Sequence, residues 1–248
     1  MPRFFVKTEQ IKEKNITIIG EDVKHIKNVL RKQVGDGIEI CNQETGNTYK
    51  CEITEIKEQE IVNTIIEKKA SIEDKIKVDI YQGLPKADKM ELIIQKSIEL
   101  GANAIIPVEM KRCVVKLDSK TESKKIERWQ KIAESAAKQS GRNTVPEIRR
   151  MVKVEDITKL KNEYASIIVC YENEKENYIK KELLKLKELD NPEMRIAIVI
   201  GPEGGLEEKD VEYLKQNGAA IVTLGNRILR TETVALNLLS IIMYELEN

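Results

Sequence analysis

Between residues 16 and 66 the apolar positions fall in short runs with a period of two: ITII at 16–19, GIEIC at 37–41, TYKCEITEI at 48–56 and EIVNTII at 60–66. Such alternation predicts half-buried strands, because successive side chains of an extended chain point to opposite faces. One stretch, EDVKHIKNVLRK at 21–32, spaces its apolar residues as a helix does. The loop Gln43-Glu44-Thr45-Gly46-Asn47 fits a hairpin in which Gly46 takes positive φ. The expectation is a small β-rich barrel.

From Lys77 the pattern changes to strands alternating with helices. KVDIYQGL reads as a strand, ADKMELIIQKSIELG as a helix closed by Gly101, and ANAIIPVEM as the next strand. A long helix, SKKIERWQKIAESAAKQS, stops at Gly141. Further on, ASIIVCYE, RIAIVIG and AIVTLG read as strands, while EEKDVEYLKQNG and TETVALNLLSIIMYEL read as helices. This alternation predicts an α/β domain built on a parallel sheet with helices on both faces. The segment KKASIEDK at 68–75 has no apolar period, so the chain divides into domains at 1–72 and 73–248.

Composition narrows the picture only modestly. The 248 residues, 41% of them hydrophobic, suffice for a buried core, and no window has the run of about 18 apolar residues that a membrane span needs. MPRFFVKTEQ lacks the features of a signal peptide, so a cytoplasmic location is expected. Cys41, Cys51, Cys113 and Cys170 are scattered, with His25 the one histidine, so they read as small buried residues and no metal is expected. His25 itself reads as a packing or RNA-facing residue, and Trp129 as a helix-to-core anchor.

Net charge is zero, but residues 71–150 hold 17 Lys and Arg against 12 Asp and Glu. A basic middle of this kind suits either a solvated helix face or a phosphate-facing surface.

Two glycine-containing loops carry the candidate chemistry. Each follows an apolar strand and leads to a helix, and open α/β sheets bind ligands just beyond the carboxyl ends of their strands. The first, Gly201-Pro202-Glu203-Gly204-Gly205, matches no phosphate-binding pattern, and Glu203, Glu207 and Glu208 disfavour an anion there. Pro202 stiffens the turn, while Gly204 and Gly205 let backbone approach a flat ligand. The second, Leu224 to Thr233, places Arg227 and Arg230 among apolar residues, with Thr231-Glu232-Thr233 suited to capping the last helix. Arginines at such a strand end suit an RNA phosphate or a developing anion on a substrate.

These motifs, IGPEGG at 200–205 and LGNRILRTETVAL at 224–236, together with ELGA at 99–102, Arg128-Trp129 and the initial MPRFF, resemble the bacterial 16S ribosomal RNA uracil-N3 methyltransferases of the SPOUT class. The resemblance spans nearly the whole chain. It implies a PUA-like RNA-binding barrel followed by a SPOUT domain whose chain forms a trefoil knot, S-adenosylmethionine held in the knot loops, and a homodimer acting on 16S rRNA within the small subunit. The residues it marks for the cofactor are Ile200, Gly201, Pro202, Gly204, Gly205, Leu224, Gly225, Arg227, Ile228, Leu229 and Thr233. At the methyl-transfer end it marks Arg230, Thr231 and Glu232, and the catalytic candidates are Arg230, Glu232 and Glu203. Gln95, Glu99, Leu100 and Gly101 also match the family pattern, as does the segment 137–142, which the resemblance sets near the target RNA. For RNA contacts the candidates are Arg3, Lys27, Arg31, Arg112, Lys138 and Arg142. The chain departs from the pattern at Glu207, where a serine helix cap is usual, and at Cys113, where serine is common.

Uracil N3 becomes a nucleophile only when its proton leaves, so such a site needs an acceptor, for which Glu232 and Glu203 are both candidates, and a cation beside the uracil oxygens, for which Arg230 and Arg227 are candidates. The target base must be unpaired or flipped out. Two other readings compete: methylation of a ribose 2′-hydroxyl or guanine N1 on the same fold, and an RNA-binding assembly factor without catalysis.

Overall fold

The computed structural model describes all residues except 71, 72, 74, 190, 192 and 248. The chain forms two compact units, Met1–Glu73 with Ala137–Val145, and Asp74–Ala136 with Pro146–Asn248. The boundary read from sequence, between residues 72 and 73, falls on a residue outside those described. Residues 137–145 lie in the segment assigned from sequence to the second domain, yet they group with the first unit.

In the first unit, strands β1 (Arg3–Val6), β2 (Ile11–Lys12), β3 (Asn15–Ile19), β4 (Gly37–Asn42), β5 (Thr48–Ile56) and β6 (Glu60–Lys69) form one sheet in the order β1-β4-β5-β6-β3-β2. All its pairs are antiparallel except β1 with β4. Register shifts between Lys50 and Cys51 and between Ile53 and Glu55 mark irregularities in the long β5–β6 pair, and such irregularities bend a sheet and increase its twist. The inward positions Ile16, Ile18, Ile38, Ile40, Ile53 and Ile61 pack with Phe4, Val23 and Ile26 into one core. Gly46 takes φ +68, as its hairpin loop requires.

Helix α1 (Glu21–Lys24) runs on into a single wide turn over His25–Val29 and ends earlier than the sequence pattern predicts. The cause is Arg31, which sits at φ +50 while the N–H of Lys32 reaches back to the carbonyl of Ile26, a left-handed helix stop. Strand β1 escaped sequence reading because RFFV is short and does not alternate.

In the second unit, β7 (Lys77–Gly83), α2 (Lys89–Glu99), β8 (Ala102–Glu109), α3 (Ser119–Ser140), β9 (Glu147–Ile148), β10 (Val152–Lys153), α4 (Val154–Lys159), β11 (Ser166–Cys170), α5 (Ile179–Glu188), β12 (Arg195–Ile200), α6 (Glu208–Gln216), β13 (Ala220–Val222) and α7 (Thr231–Leu246) follow in order. The last turn of α3 belongs to the first unit. The sheet is parallel throughout, in the order β10-β8-β7-β12-β11-β13, with β9 also paired to β8. Its strands are apolar on both faces, as a doubly covered sheet demands: Val78, Ile80, Ile105, Val169, Ile196 and Ile198 are all fully buried. Trp129 is buried in α3, the anchoring role expected of it.

Two polar side chains of β7, Asp79 and Gln82, break that apolar rule. Asp79, fully buried on β7, accepts hydrogen bonds from Tyr164 Oη (2.8 Å), Asn103 Nδ2 (2.6 Å) and the Arg195 guanidinium (2.9 and 2.6 Å). Tyr164 also meets the Tyr81 hydroxyl at 2.9 Å. These bonds satisfy a carboxylate that would otherwise be very costly to bury.

Candidate active site

The sheet order sets the carboxyl ends of β12, β11 and β13 side by side, so the loops that follow them share one rim. Between these loops lies a cavity of about 460 Å³, within the range of small-molecule sites. Its apolar lining comes from Cys170, Ile200, Val222, Leu224, Leu229 and Val234, and its polar lining from Lys89, Glu172, Lys175, Glu203, Arg227 and Arg230.

Both glycine loops thus meet in a single pocket. Ile200, Gly201, Pro202, Gly204, Gly205, Leu224, Gly225, Arg227, Ile228 and Leu229 all line it. Of the residues marked for cofactor, Thr233 does not; it lies exposed on α7. Among the catalytic candidates, Glu203 and Arg230 line the cavity, whereas Glu232 does not and pairs with Lys89.

The first loop is a tight turn in which the N–H of Gly205 donates to the carbonyl of Pro202 (2.9 Å), with Gly205 at φ +71. A Cβ on Gly201 would lie 3.0 Å from the backbone of Gly205 and Leu206, and one on Gly205 would collide with the Glu172 carboxylate. At the end of β7, a Cβ on Gly83 would fall 2.7 Å from both Pro202 and the Met110 sulfur. Close backbone approach is therefore built into the wall of the pocket. Arg112 donates to the carbonyl of Gly204 (2.9 Å) and so braces this loop.

Thr231 does not cap α7. The N-cap is Arg230, extended and without a side-chain cap bond, and the buried Thr231 hydroxyl donates to the carbonyl of Gly201 (2.7 Å) while accepting from Gln82 Nε2 (2.9 Å). A buried hydroxyl finds its strongest use where it satisfies two other buried groups, and here it ties β7, the first loop and α7 together. Glu207, at the N-cap of α6, likewise makes no cap bond and instead pairs with Lys111 at 3.1 Å.

One lysine meets two acids here, Glu203 of the lining and Glu232 of α7. Lys89 Nζ lies 3.1 Å from Glu203 Oε1 and 3.4 Å from Glu232 Oε2, the latter a buried oxygen that makes no hydrogen bond. Glu203 also accepts from the backbone N–H of Lys86 at 3.0 and 3.3 Å. Burial by itself pushes the Glu203 carboxyl up, but the backbone N–H groups of Glu203 and Lys86, with the Lys89 ammonium, outweigh it and hold it below the ordinary carboxylate value. The hydrogen bond to Glu203 pushes Lys89 up against the opposing effect of burial, so it remains an ammonium. Burial pushes the Cys170 thiol up to about 12, leaving it protonated and unreactive at neutral pH.

Sequence reading missed three contributors: Lys89, the buried Gln82, and the third loop, Cys170 to Lys175. The strand ASIIVCYE was recognised, but not that its end shares the rim; that fact depends on β11 lying between β12 and β13.

The RNA-contact candidates divide sharply. Arg3 donates to Glu39 (2.8 and 3.2 Å), to the carbonyls of Gly141 and Arg142 and to Asn143 Oδ1. Lys138 pairs with Asp22 at 2.9 Å and lies over the Phe4 ring, and Arg142 pairs with Glu73 at 2.6 Å. Each of these three cations already pairs with an acid, which a phosphate would have to displace. Lys27 donates to the carbonyl of Lys57 (3.1 Å), and Arg31 is exposed. His25 is exposed and meets Phe4 edge-on. Among the described residues no group of His, Cys, Asp or Glu is arranged to hold a metal ion, and no helix is long and apolar enough to cross a membrane.

A family model described as an RNA methyltransferase domain matches residues 72–243, and one described as an RNA methyltransferase PUA domain matches residues 18–65. The chain is 42% identical to ribosomal RNA small subunit methyltransferase E of Bacillus subtilis, over all of this chain and 98% of that protein. It is 32% identical to the protein of the same name from Mesomycoplasma hyopneumoniae, over 97% of this chain and 98% of that one. Among solved structures, ribosomal RNA small subunit methyltransferase E from Neisseria gonorrhoeae, bound to S-adenosyl methionine, aligns with a TM-score of 0.84 and 28% identity, covering 98% of this chain and 97% of that one.

Proposed function

The chain belongs to the RNA methyltransferase family whose members pair a methyltransferase domain with a PUA domain, and from that membership we propose that it transfers the methyl group of S-adenosylmethionine to N3 of a uridine in 16S ribosomal RNA. The observation that carries this reading is the convergence of both glycine loops on one cavity of about 460 Å³ lined by apolar and charged side chains. In functional terms we divide the chain into an RNA-binding domain, residues 1–72, and a SPOUT methyltransferase domain, residues 73–248.

The residues present fit the cofactor. The backbone of Gly201, Gly204, Gly205 and Gly225 and the side chains of Ile200, Leu224 and Leu229 suit an adenosyl group, a flat ligand that packs against apolar walls and is read along its edge by amides. Bound there, S-adenosylmethionine supplies an electrophilic methyl group. The chain supplies orientation, exclusion of water and charge: Glu203, ionised at neutral pH, accepts the N3 proton, and Arg227 and Arg230, which are exposed and without partners among the described residues, meet the RNA phosphates. A knotted path, a homodimer, a cytoplasmic location and action on the small subunit belong to the same proposal; α7, which exposes Tyr244 beside its buried Leu238, Leu239 and Ile242, supports the dimer.

Calorimetry with S-adenosylmethionine tests the pocket, and absence of binding overturns the reading. Mass-spectrometric mapping of nucleosides in 16S rRNA from a strain lacking the protein tests the target. Loss of one 3-methyluridine is the expected result, and its persistence would exclude uracil N3. Light scattering at micromolar concentration tests the dimer, against which a stable monomer would count.

A further inference from the structure

We propose that Lys89 is the cation that stabilises the uracil anion, donating from its ammonium to a uracil carbonyl oxygen as the N3 proton leaves. This rests on the reading of the reaction given above and reassigns the role that sequence patterns gave to Arg227 or Arg230.

The position of Lys89 is costly unless it has a purpose. It is the first residue of α2, at the positive end of the helix dipole, where a cation is disfavoured. Two carboxylates hold it there, Glu203 from the first loop at 3.1 Å and Glu232 from α7 at 3.4 Å. An ammonium has three N–H donors. Glu203 takes one of them, and Glu232 Oε2 at 3.4 Å attracts the ammonium without a hydrogen bond, which leaves donors for the cavity that Lys89 lines.

Preorganisation separates Lys89 from the arginines. A group stabilises a developing charge best when it is fixed before the reaction and needs no reorganisation during it. Lys89 is fixed by two ion pairs contributed by two different elements. Arg227 and Arg230 are exposed, with no partner among the described residues, and suit the more diffuse attraction of a phosphate backbone.

During transfer the N3–H bond breaks and its proton passes to the Glu203 carboxylate, while the charge left on the ring spreads onto the two carbonyl oxygens, one of them against Lys89. The N3 electron pair then forms the new bond to the methyl carbon as the carbon–sulfur bond breaks, its electron pair remaining on sulfur. Lys89 neither gains nor loses a proton.

The test uses the full chain, with 16S rRNA from a strain lacking the protein as substrate. Lys89→Met is expected to lower kcat about 100-fold or more while the Kd for S-adenosylmethionine stays within about threefold. Lys89→Arg, which keeps the charge, is expected to recover much of the loss. The decisive readout is RNA carrying 5-fluorouridine, whose electron-withdrawing fluorine makes N3 more acidic. It is expected to accelerate K89M more than the wild type, because a base that ionises more readily depends less on the missing cation.

Equal acceleration of both proteins overturns the inference, as does a kcat loss below about threefold. Loss of cofactor binding in K89M also overturns it, since that assigns Lys89 to the cofactor. If K89M does not fold, Lys89→Gln, which keeps hydrogen-bond donors without the charge, carries the same 5-fluorouridine comparison. Wild-type protein that binds the cofactor but leaves N3 unmethylated refutes the reaction itself and not only the role of Lys89.

Discussion

Arg3, Lys138 and Arg142 of the first unit are each closed off by acids or carbonyls, whereas Arg227 and Arg230, in the loop between β13 and α7, are exposed and have no partner among the described residues. All five are basic residues that sequence reading assigned to a site. The difference between them is pairing. A cation held half-buried by a carboxylate has already given up its water and its side-chain freedom to the fold, and a phosphate would have to compete with the existing anion. A cation left in water keeps its charge available to a polyanion.

If pairing makes a cation structural, the largest effect should come from the most tightly tied pair. Asp79, itself fully buried, holds a partly exposed Arg195, and Asp79→Ala is expected to destabilise the protein by about 3–5 kcal/mol, read from urea denaturation, because it strands the groups that pair with it. Next, Arg142→Ala is expected to lose about 1–3 kcal/mol of stability, since Glu73 is left half-buried without its guanidinium. The salt dependence of RNA affinity should not change in that variant; a flatter slope would return Arg142 to the RNA interface.

The same pair sets a pH dependence. Burial pushes Glu73 up, but Arg142 and the backbone N–H groups of Thr144 and Asn143 hold it below its ordinary value of 4.5. A carboxyl lowered in the folded state contributes stability that is fully present above the unfolded value and is lost as pH falls through the folded one. Denaturation midpoints should therefore drop as pH falls below 4.5, and Glu73→Gln should lessen that drop. The smallest expected effect on stability comes from Arg227→Ala with Arg230→Ala, within about 0.5 kcal/mol, while the slope of log affinity against log salt should fall by about one for each phosphate no longer neutralised.

What was legible in the sequence was local. Helix α7 runs over Thr231–Leu246 as its pattern predicts, and Gly46 and Gly101 adopt the positive φ that their turns require. Both glycine loops line the pocket because a strand followed by a glycine turn is a signal carried by neighbouring residues. What escaped was non-local. Helix α5 lay unread in IKKELLKLKE among charged residues, and Glu172 joins the pocket only because β11 lies between β12 and β13. Lys89 meets Glu232 across more than half the chain, and no spacing along the sequence announces such a pair. Arg3 meets the carbonyl of Arg142, and Lys138 meets Asp22, across similarly long stretches of sequence.

The grouping of Ala137–Val145 with Met1–Glu73 has a consequence for inheritance. A crossover between two related genes near codon 73 would draw Asp22 from one parent and Lys138 from the other, and would separate Glu73 or Arg3 from the segment each holds. The first unit is therefore inherited intact only when both stretches descend together, and it is not a module that recombination can exchange by a single cut.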